Sequence, residues 1–236
     1  MTSHASAPLS AGAPWIVMKF GGTSVATLPR WQNIRELVAS RRAEGARVVV
    51  VVSALTGITD ALKQLCAQED KGKRIEAAKA IAQRHYDLLD HMQLAVPDTL
   101  AARLAELAKL AEDGPSALGE LAWSALVHAQ GELMSSSLGA AFLTHSGLAT
   151  QWVDARDCLA AIALPNQNER TKLLSAMVEA KPDPTLNARL AKQGEVFITQ
   201  GFIARESQGR TVLLGRGGSD TSASYFGALL KAQRVE

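Results

Sequence analysis

Two short stretches of this 236-residue chain carry residue types suited to chemistry on an anion. The first is Gly215-Arg216-Gly217-Gly218-Ser219-Asp220. It follows an apolar run over 211–214 that reads as a buried strand. It precedes 221–232, where Ala223, Phe226, Leu229 and Leu230 fall at helical spacing. A helix N-terminus presents unpaired N–H groups and a partial positive charge. Glycines let that backbone approach a ligand with no Cβ in the way, which makes an anion site suited to phosphate. Arg216 adds a fork matched to carboxylate or phosphate, and Asp220 falls in the first turn as cap and charge partner. A lone turn of this kind is equally an ordinary tight connection. The second stretch, Met18-Lys19-Phe20-Gly21-Gly22-Thr23-Ser24, has the same form: it closes an apolar run and opens a helical pattern. Two such turns, one with Lys and one with Arg and Asp, suit a polyphosphate held from two sides. Neither matches the Walker pattern, and Asp220 stands where a dinucleotide fingerprint needs its third glycine.

The elements that must position these turns can be read from periodicity. A helix is expected over 28–44, with Trp31, Ile34, Leu37 and Val38 as its buried stripe and Gly45 as its stop. The unbroken valines of 47–53 indicate a strand buried on both faces, as in a parallel sheet covered by helices. Strand, helix and strand of these lengths make a βαβ unit. The Ser/Thr-rich loop 53–60 leaves the C-terminal end of that strand, the edge where open α/β sheets bind ligands. It reads either as a polar substrate contact or as an ordinary turn capped by Thr59 or Asp60. From 58 to 147 the pattern is helical: one helix marked by Ile75, Ala78, His85, Leu88 and Met92, a second begun by Pro97, and a third from 116 to about 145.

Gly131 lies inside the third helix at a cost of roughly 1 kcal/mol relative to alanine, so it marks a kink or a close contact. Glu132 beside it, judged by its own chemistry, reads as an exposed helical carboxylate, since glutamate is rarely buried unpaired. The alternative is a carboxylate that faces an amino group. Further on, 151–154 reads as a short strand, 166–179 and 185–192 as helices, and 195–199 as a strand. Ser207-Gln208-Gly209 reads as a hairpin turn.

Composition narrows the class. With 47% hydrophobic and 20% charged residues, the chain can bury a sizeable core. A net charge of +2, with mixed signs and few aromatics, points to neither nucleic acid nor an anionic membrane. Cys66 and Cys158 lack C-x-x-C partners and read as ordinary thiols in a reducing, cytoplasmic setting. The histidines lack metal-ligand spacing, and no metal ligands are assigned. Residues 1–14 lack the basic start and apolar core of a secretory signal and are expected to form a disordered tail ahead of a domain over 15–236.

Lys19-Phe20-Gly21-Gly22-Thr23-Ser24-Val25, the loop 53–59, His128-Ala129-Gln130-Gly131-Glu132-Leu133-Met134-Ser135, Gln200-Gly201-Phe202-Ile203 and Leu214 to Asp220 together resemble aspartate kinase, in the family's order and spacing, from Ile16 to the end. The resemblance implies an α/β fold of the amino-acid kinase type: a three-layer α/β/α sandwich with a mainly parallel central sheet. It also implies transfer of the ATP γ-phosphoryl group to the side-chain carboxylate of L-aspartate, with Mg2+ held mainly by the ATP phosphates. By the same resemblance Lys19 and Asp220 are catalytic. Lys19, Gly21, Gly22, Thr23, Ser24, Gly217 and Gly218 contact the nucleotide. Ser53, Thr59, Glu132, Gly201, Phe202, Arg216 and Ser219 hold aspartate, with Arg216 on the α-carboxylate and Glu132 on the α-ammonium. The family continues past Glu236 with a further strand, a nucleotide-binding segment and regulatory domains, and some relatives are fused to a second enzyme of lysine synthesis. The chain therefore reads as the substrate-binding part of such a domain, expected to form homo-oligomers through an unpaired sheet edge. Competing readings are another kinase of this fold, acting on acetylglutamate, uridylate or carbamate, or a non-catalytic binding module.

Overall fold

In chain order the elements alternate as the βαβ reading requires. Trp15–Phe20 forms β1, Leu28–Ala43 α1 and Arg47–Val52 β2. Four helices follow: α2 at Ile58–Cys66, α3 at Lys71–Met92, α4 at Asp98–Asp113 and α5 at Glu120–His145. Then come β3 at Gln151–Trp152, α6 at Glu169–Leu174, α7 at Pro184–Gln193 and β4 at Val196–Gln200. The hairpin of β5, Ile203–Arg205, and β6, Thr211–Leu213, leads into α8 at Gly218–Leu229 and β7 at Arg234–Val235. These are features of a computed structural model that describes residues 9–10, 12–116, 118–215 and 217–236. The expected disorder of 1–8 and 11 lies outside the described residues. Nearer the body, the Arg47 guanidinium donates to the carbonyls of Ser10 and Ala13.

The main sheet has the order β3-β4-β2-β1-β7, with every neighbouring pair parallel. Side chains alternate across it, as a strand period of two dictates. Ile16, Met18, Val48, Val50 and Ile198 enter a core shared with α1 to α4. Trp15, Val17, Val49, Val51 and Phe197 enter a second core shared with α7, α8 and the β5–β6 hairpin. Both faces are therefore covered, which is why the valine run of β2 is buried throughout. Helix α5 feeds both cores, with Val127, Met134 and Leu138 in one and Ala125, Ala129 and Leu133 in the other. No described helix is long and apolar enough to cross a membrane.

One expected helix is mostly absent. Over 166–179 only Glu169–Leu174 is helical. Asn168 caps it, its side-chain oxygen accepting from Thr171 N–H at 2.8 Å. Past Ser175 the backbone is claimed by neighbouring chain: Ala176 N–H donates to Leu213 O, Ile162 N–H donates to Met177 O, and Val178 bridges Ala161. Edge pairing outweighs a weak local helical preference here.

His85 on α3 is wholly buried. A carbonyl can only accept, so Nδ1–H donates to Ile81 O at 2.9 Å, while Nε2 has no partner. Burial pushes the imidazole from its ordinary 6.5 to about 4. The unfolded chain therefore takes up this proton first. The stability from neutral His85 is complete above pH 6.5 and is lost as pH falls from 6.5 toward 4, at up to about 1.4 kcal/mol per pH unit. Because buried Glu132 titrates in the opposite sense over this range, the check is the variant against the native protein: by urea midpoint, His85→Leu should gain stability at pH 5 relative to pH 7. An unchanged pH dependence in His85→Leu would assign acid sensitivity elsewhere.

Candidate active site

The C-terminal ends of β1, β2 and β4 meet at one edge of the sheet, where parallel strands leave their ligand crevice. A cavity of about 760 Å³ opens there, lined by Lys19, Ser53, Thr59, Glu132, Phe202, Ser219 and Asp220 and by the Gly215, Gly217 and Gly218 backbone. The volume lies within the ordinary range of small-molecule sites.

Lys19 ends β1 half-buried. Its Nζ pairs with Asp220 Oδ1 at 2.7 Å, the aspartate being 73% exposed on the first turn of α8. The pair ties the two glycine turns together. Gly21 lies beside it, where an added Cβ would sit 3.6 Å from Lys19 Nζ. At Gly22 an added Cβ would come within 2.8 Å of Ala54 O, so this glycine is what lets the first turn pack on the 53–60 loop. Thr23 is exposed and Ser24 half-buried in the 3-10 turn Gly22–Val25. In the second turn Gly215 and Gly217 take φ of 75° and 73°, a region that favours glycine. Gly217 caps α8, and the first turn of that helix lines the cavity through Gly218, Ser219 and Asp220. Arg216 lies outside the described residues.

Glu132 overturns the reading drawn from its own chemistry. It is 4% exposed, not solvated. The cause is tertiary: at Gly131 a Cβ would lie 2.8 Å from Ala54 Cβ and 3.1 Å from Leu62 Cδ1, so only glycine lets α5 come this near the loop. That close contact, within an unbroken helix, is what Gly131 provides. It brings Ala54 N–H within 3.2 Å of Glu132 Oε1, to which it donates. Among the described residues no cation pairs with this carboxylate. Burial pushes it from the ordinary 4.5 to about 8, and the Ala54 N–H offsets part of the rise. A carboxyl so buried keeps its proton at neutral pH unless a cation or further donors compensate the charge.

Gly201 and Phe202 follow β4. Gly201 N–H donates to Val52 O at 2.8 Å, and an added Cβ would strike Ser219 at 2.6 Å. The Gly201 backbone is thus packed behind the cavity rather than exposed in it, with Phe202 on the wall. Gly21, Gly22, Thr23 and Ser24 likewise lie outside the lining.

Lining residues to which the sequence assigned no site role include Lys63 on α2, Glu120, Ser124 and His128 on α5, and Arg170 on α6. His128 was legible in principle, because it lies four residues before Glu132 and so on the same helix face. Its Nδ1–H donates to Ser124 O at 2.8 Å, which leaves Nε2 as the acceptor in the neutral ring. Arg170 lies in α6, and no spacing in the sequence marks it.

Comparison with known proteins agrees with this architecture. Residues 14–236 match the model of the amino acid kinase family. The chain is 34% identical over 232 residues to lysine-sensitive aspartokinase 3 of Escherichia coli, covering 94% of this chain and 48% of that one. It is 31% identical over 238 residues to the chloroplastic bifunctional aspartokinase/homoserine dehydrogenase 2 of Arabidopsis thaliana, covering 95% of this chain and 25% of that one. The fold superimposes on the crystal structure of E. coli aspartokinase III in complex with aspartate and ADP with a TM-score of 0.75. Identity there is 31%, over 93% of this chain and 48% of the other. The chain thus spans about half the length of the E. coli enzyme or less of such relatives. The parallel sheet covered on both faces, the paired glycine turns at its edge and the family match lead to one conclusion: the chain belongs to the amino acid kinase family.

Proposed function

We propose that this chain forms the substrate-binding part of an enzyme that transfers the γ-phosphoryl group of ATP to the side-chain carboxylate of L-aspartate. The observation that carries the reading is Glu132: a buried carboxylate, unpaired among the described residues, in the same cavity as the Lys19–Asp220 pair. A substrate with a free ammonium group satisfies it. An N-acylated amino acid or a uridylate would leave it uncompensated, which disfavours the other kinases of this fold. The likeness to an aspartokinase solved with aspartate and ADP supports the same choice.

The chemistry asks for positioning and charge neutralisation. The attacking carboxylate, with a pKa near ~4, is already ionised at neutral pH, so no general base is required. Its oxygen forms a bond to the γ-phosphorus as the bond to the β-phosphate bridge oxygen breaks. ADP departs and no proton moves. Lys19 offsets negative charge that builds on the transferring group, and Asp220 holds the lysine in place. The positive end of α8 at the Gly217–Gly218 turn favours the phosphate end. Thr59, Ser53 and Ser219 offer hydroxyls to aspartate, with Arg216 assigned to its α-carboxylate. Magnesium suits this donor set as a companion of the nucleotide, since Mg2+ is commonly held by substrate phosphates, waters and one or two carboxylates. Among the described residues no group of three or more His, Cys, Asp or Glu is placed to hold a metal. Bound there, it would screen the phosphates against the incoming carboxylate. The two free thiols, Cys66 and Cys158, support a cytoplasmic setting.

ADP release with Mg-ATP by the enzyme that carries this chain, measured with and without L-aspartate, tests the reading. Aspartate-stimulated release is the expected result. Stimulation by N-acetyl-L-glutamate or uridylate in place of aspartate would contradict it.

A further inference from the structure

Phe202 has a backbone few aromatic residues adopt. Its φ is 71°, and Ile203 N–H donates back to Gly201 O at 2.9 Å across it. This is a γ-turn of the positive-φ kind, which is rare and strained. The other described non-glycine residues at positive φ are Gln93, Asn166 and Lys231, all polar. Strain of this kind persists only where the surroundings over-determine it.

Two bonds over-determine it here: Leu214 N–H donates to Phe202 O at 2.8 Å, and Phe202 N–H is held by Ser222, fully buried on α8. Its hydroxyl accepts from Phe202 N–H at 2.9 Å and donates to Gly218 O at 2.7 Å. Serines and threonines in helices often bond back to the carbonyl four residues earlier. Thr221, half-buried, and Ser224, exposed, do so on the same helix, neither hydroxyl with a second partner among the described residues. Ser222 alone of the three also accepts from another loop. The two turns are in contact as well: at Gly218 a Cβ would lie 2.7 Å from Phe202 Cδ2. Phe202 and Gly218 both line the cavity, and Ser222 stands behind them.

We propose that Ser222 is a positioning residue whose hydroxyl locks the strained Phe202 turn to the Gly217–Gly218 turn, setting the spacing of two walls of the substrate cavity. The effect on substrate rests on the aspartate reading; the clamp itself does not. Removal of the hydroxyl leaves a buried N–H and a buried carbonyl each one partner short. The strained turn then keeps only the Leu214 N–H bond to Phe202 O, and it loosens from the Gly217–Gly218 turn.

The test compares the native chain, Ser222→Ala and Ser222→Thr by amide hydrogen exchange and by L-aspartate titration. In Ser222→Ala, peptides spanning Phe202 and Gly218 should lose protection together while α3 and α4 keep theirs, and aspartate should bind roughly tenfold more weakly. Ser222→Thr, which keeps the hydroxyl, should restore both. Should Ser222→Ala not fold, Ser222→Cys carries the same comparison, since its thiol is a weak acceptor of nearly the same size. Faster exchange confined to α8, or protection at Phe202 that is unchanged, overturns the clamp. Joint exchange with unaltered aspartate affinity overturns its role in spacing the cavity. A native chain that binds no aspartate overturns the substrate reading, while the exchange data still decide the clamp.

Discussion

Glu132→Gln is expected to abolish useful L-aspartate binding and, at the same time, to make the ligand-free protein more stable at neutral pH. Both effects have one cause. The carboxylate is buried with a single N–H donor, and burial holds its pKa near 8 instead of 4.5. Between those values the folded chain holds a proton that the unfolded chain has released. Stability therefore falls as pH rises through this window. A neutral amide can still accept from Ala54 N–H and needs no proton taken up on folding, so the melting temperature should rise by about 2–4 °C per kcal/mol regained. The substrate ammonium loses its partner in the same step. Loss of one member of a buried charge pair costs roughly 2–5 kcal/mol, so aspartate affinity should fall at least about 30-fold. Thermal melts at pH 7.5 and aspartate titration check the two halves. A variant that is less stable and still binds aspartate would show that Glu132 is a structural residue.

Lys19→Ala is expected to separate chemistry from folding. The Lys19–Asp220 pair joins two loops, yet the aspartate is largely exposed, and exposed pairs add little to stability. The melting temperature should hardly move. Turnover should fall by roughly 10²- to 10³-fold, the usual loss when one donor to developing charge is removed. Aspartate binding without nucleotide should persist, because Glu132 and the hydroxyl groups remain. Steady-state ADP release and a melting curve on the same preparation settle it. A large drop in melting temperature with a proportionate loss of activity would make Lys19 a strut rather than a phosphate ligand.

The parts of the molecule visible in the sequence are those fixed by period and punctuation. The valines of β2 announced a doubly covered strand, Pro97 the start of α4, and Ser207-Gln208-Gly209 the β5–β6 hairpin. The glycine turns could be placed at strand ends because each follows an apolar run. The motif resemblance supplied the expected residues, and the structure brings Lys19, Ser53, Thr59, Glu132, Phe202, Ser219 and Asp220 to one cavity. What sequence could not supply depends on contacts between distant segments. Burial of Glu132 follows from Gly131 meeting Ala54, 77 positions away. The strained turn at Phe202 has no local signal, because an aromatic residue ordinarily avoids positive φ. The break after α6 follows from pairing with the distant strand β6.

Calorimetric titration of L-aspartate into the native chain at pH 6, 7 and 8, with N-acetyl-L-aspartate in parallel, tests the central claim most directly. If the buried Glu132 carboxylate receives the substrate ammonium, binding must expel its proton. Aspartate affinity should then rise about tenfold per pH unit and level off near pH 8, while the acetylated compound, with no ammonium, should not bind. Affinity that ignores pH across this range, or equal binding of both compounds, would contradict the account.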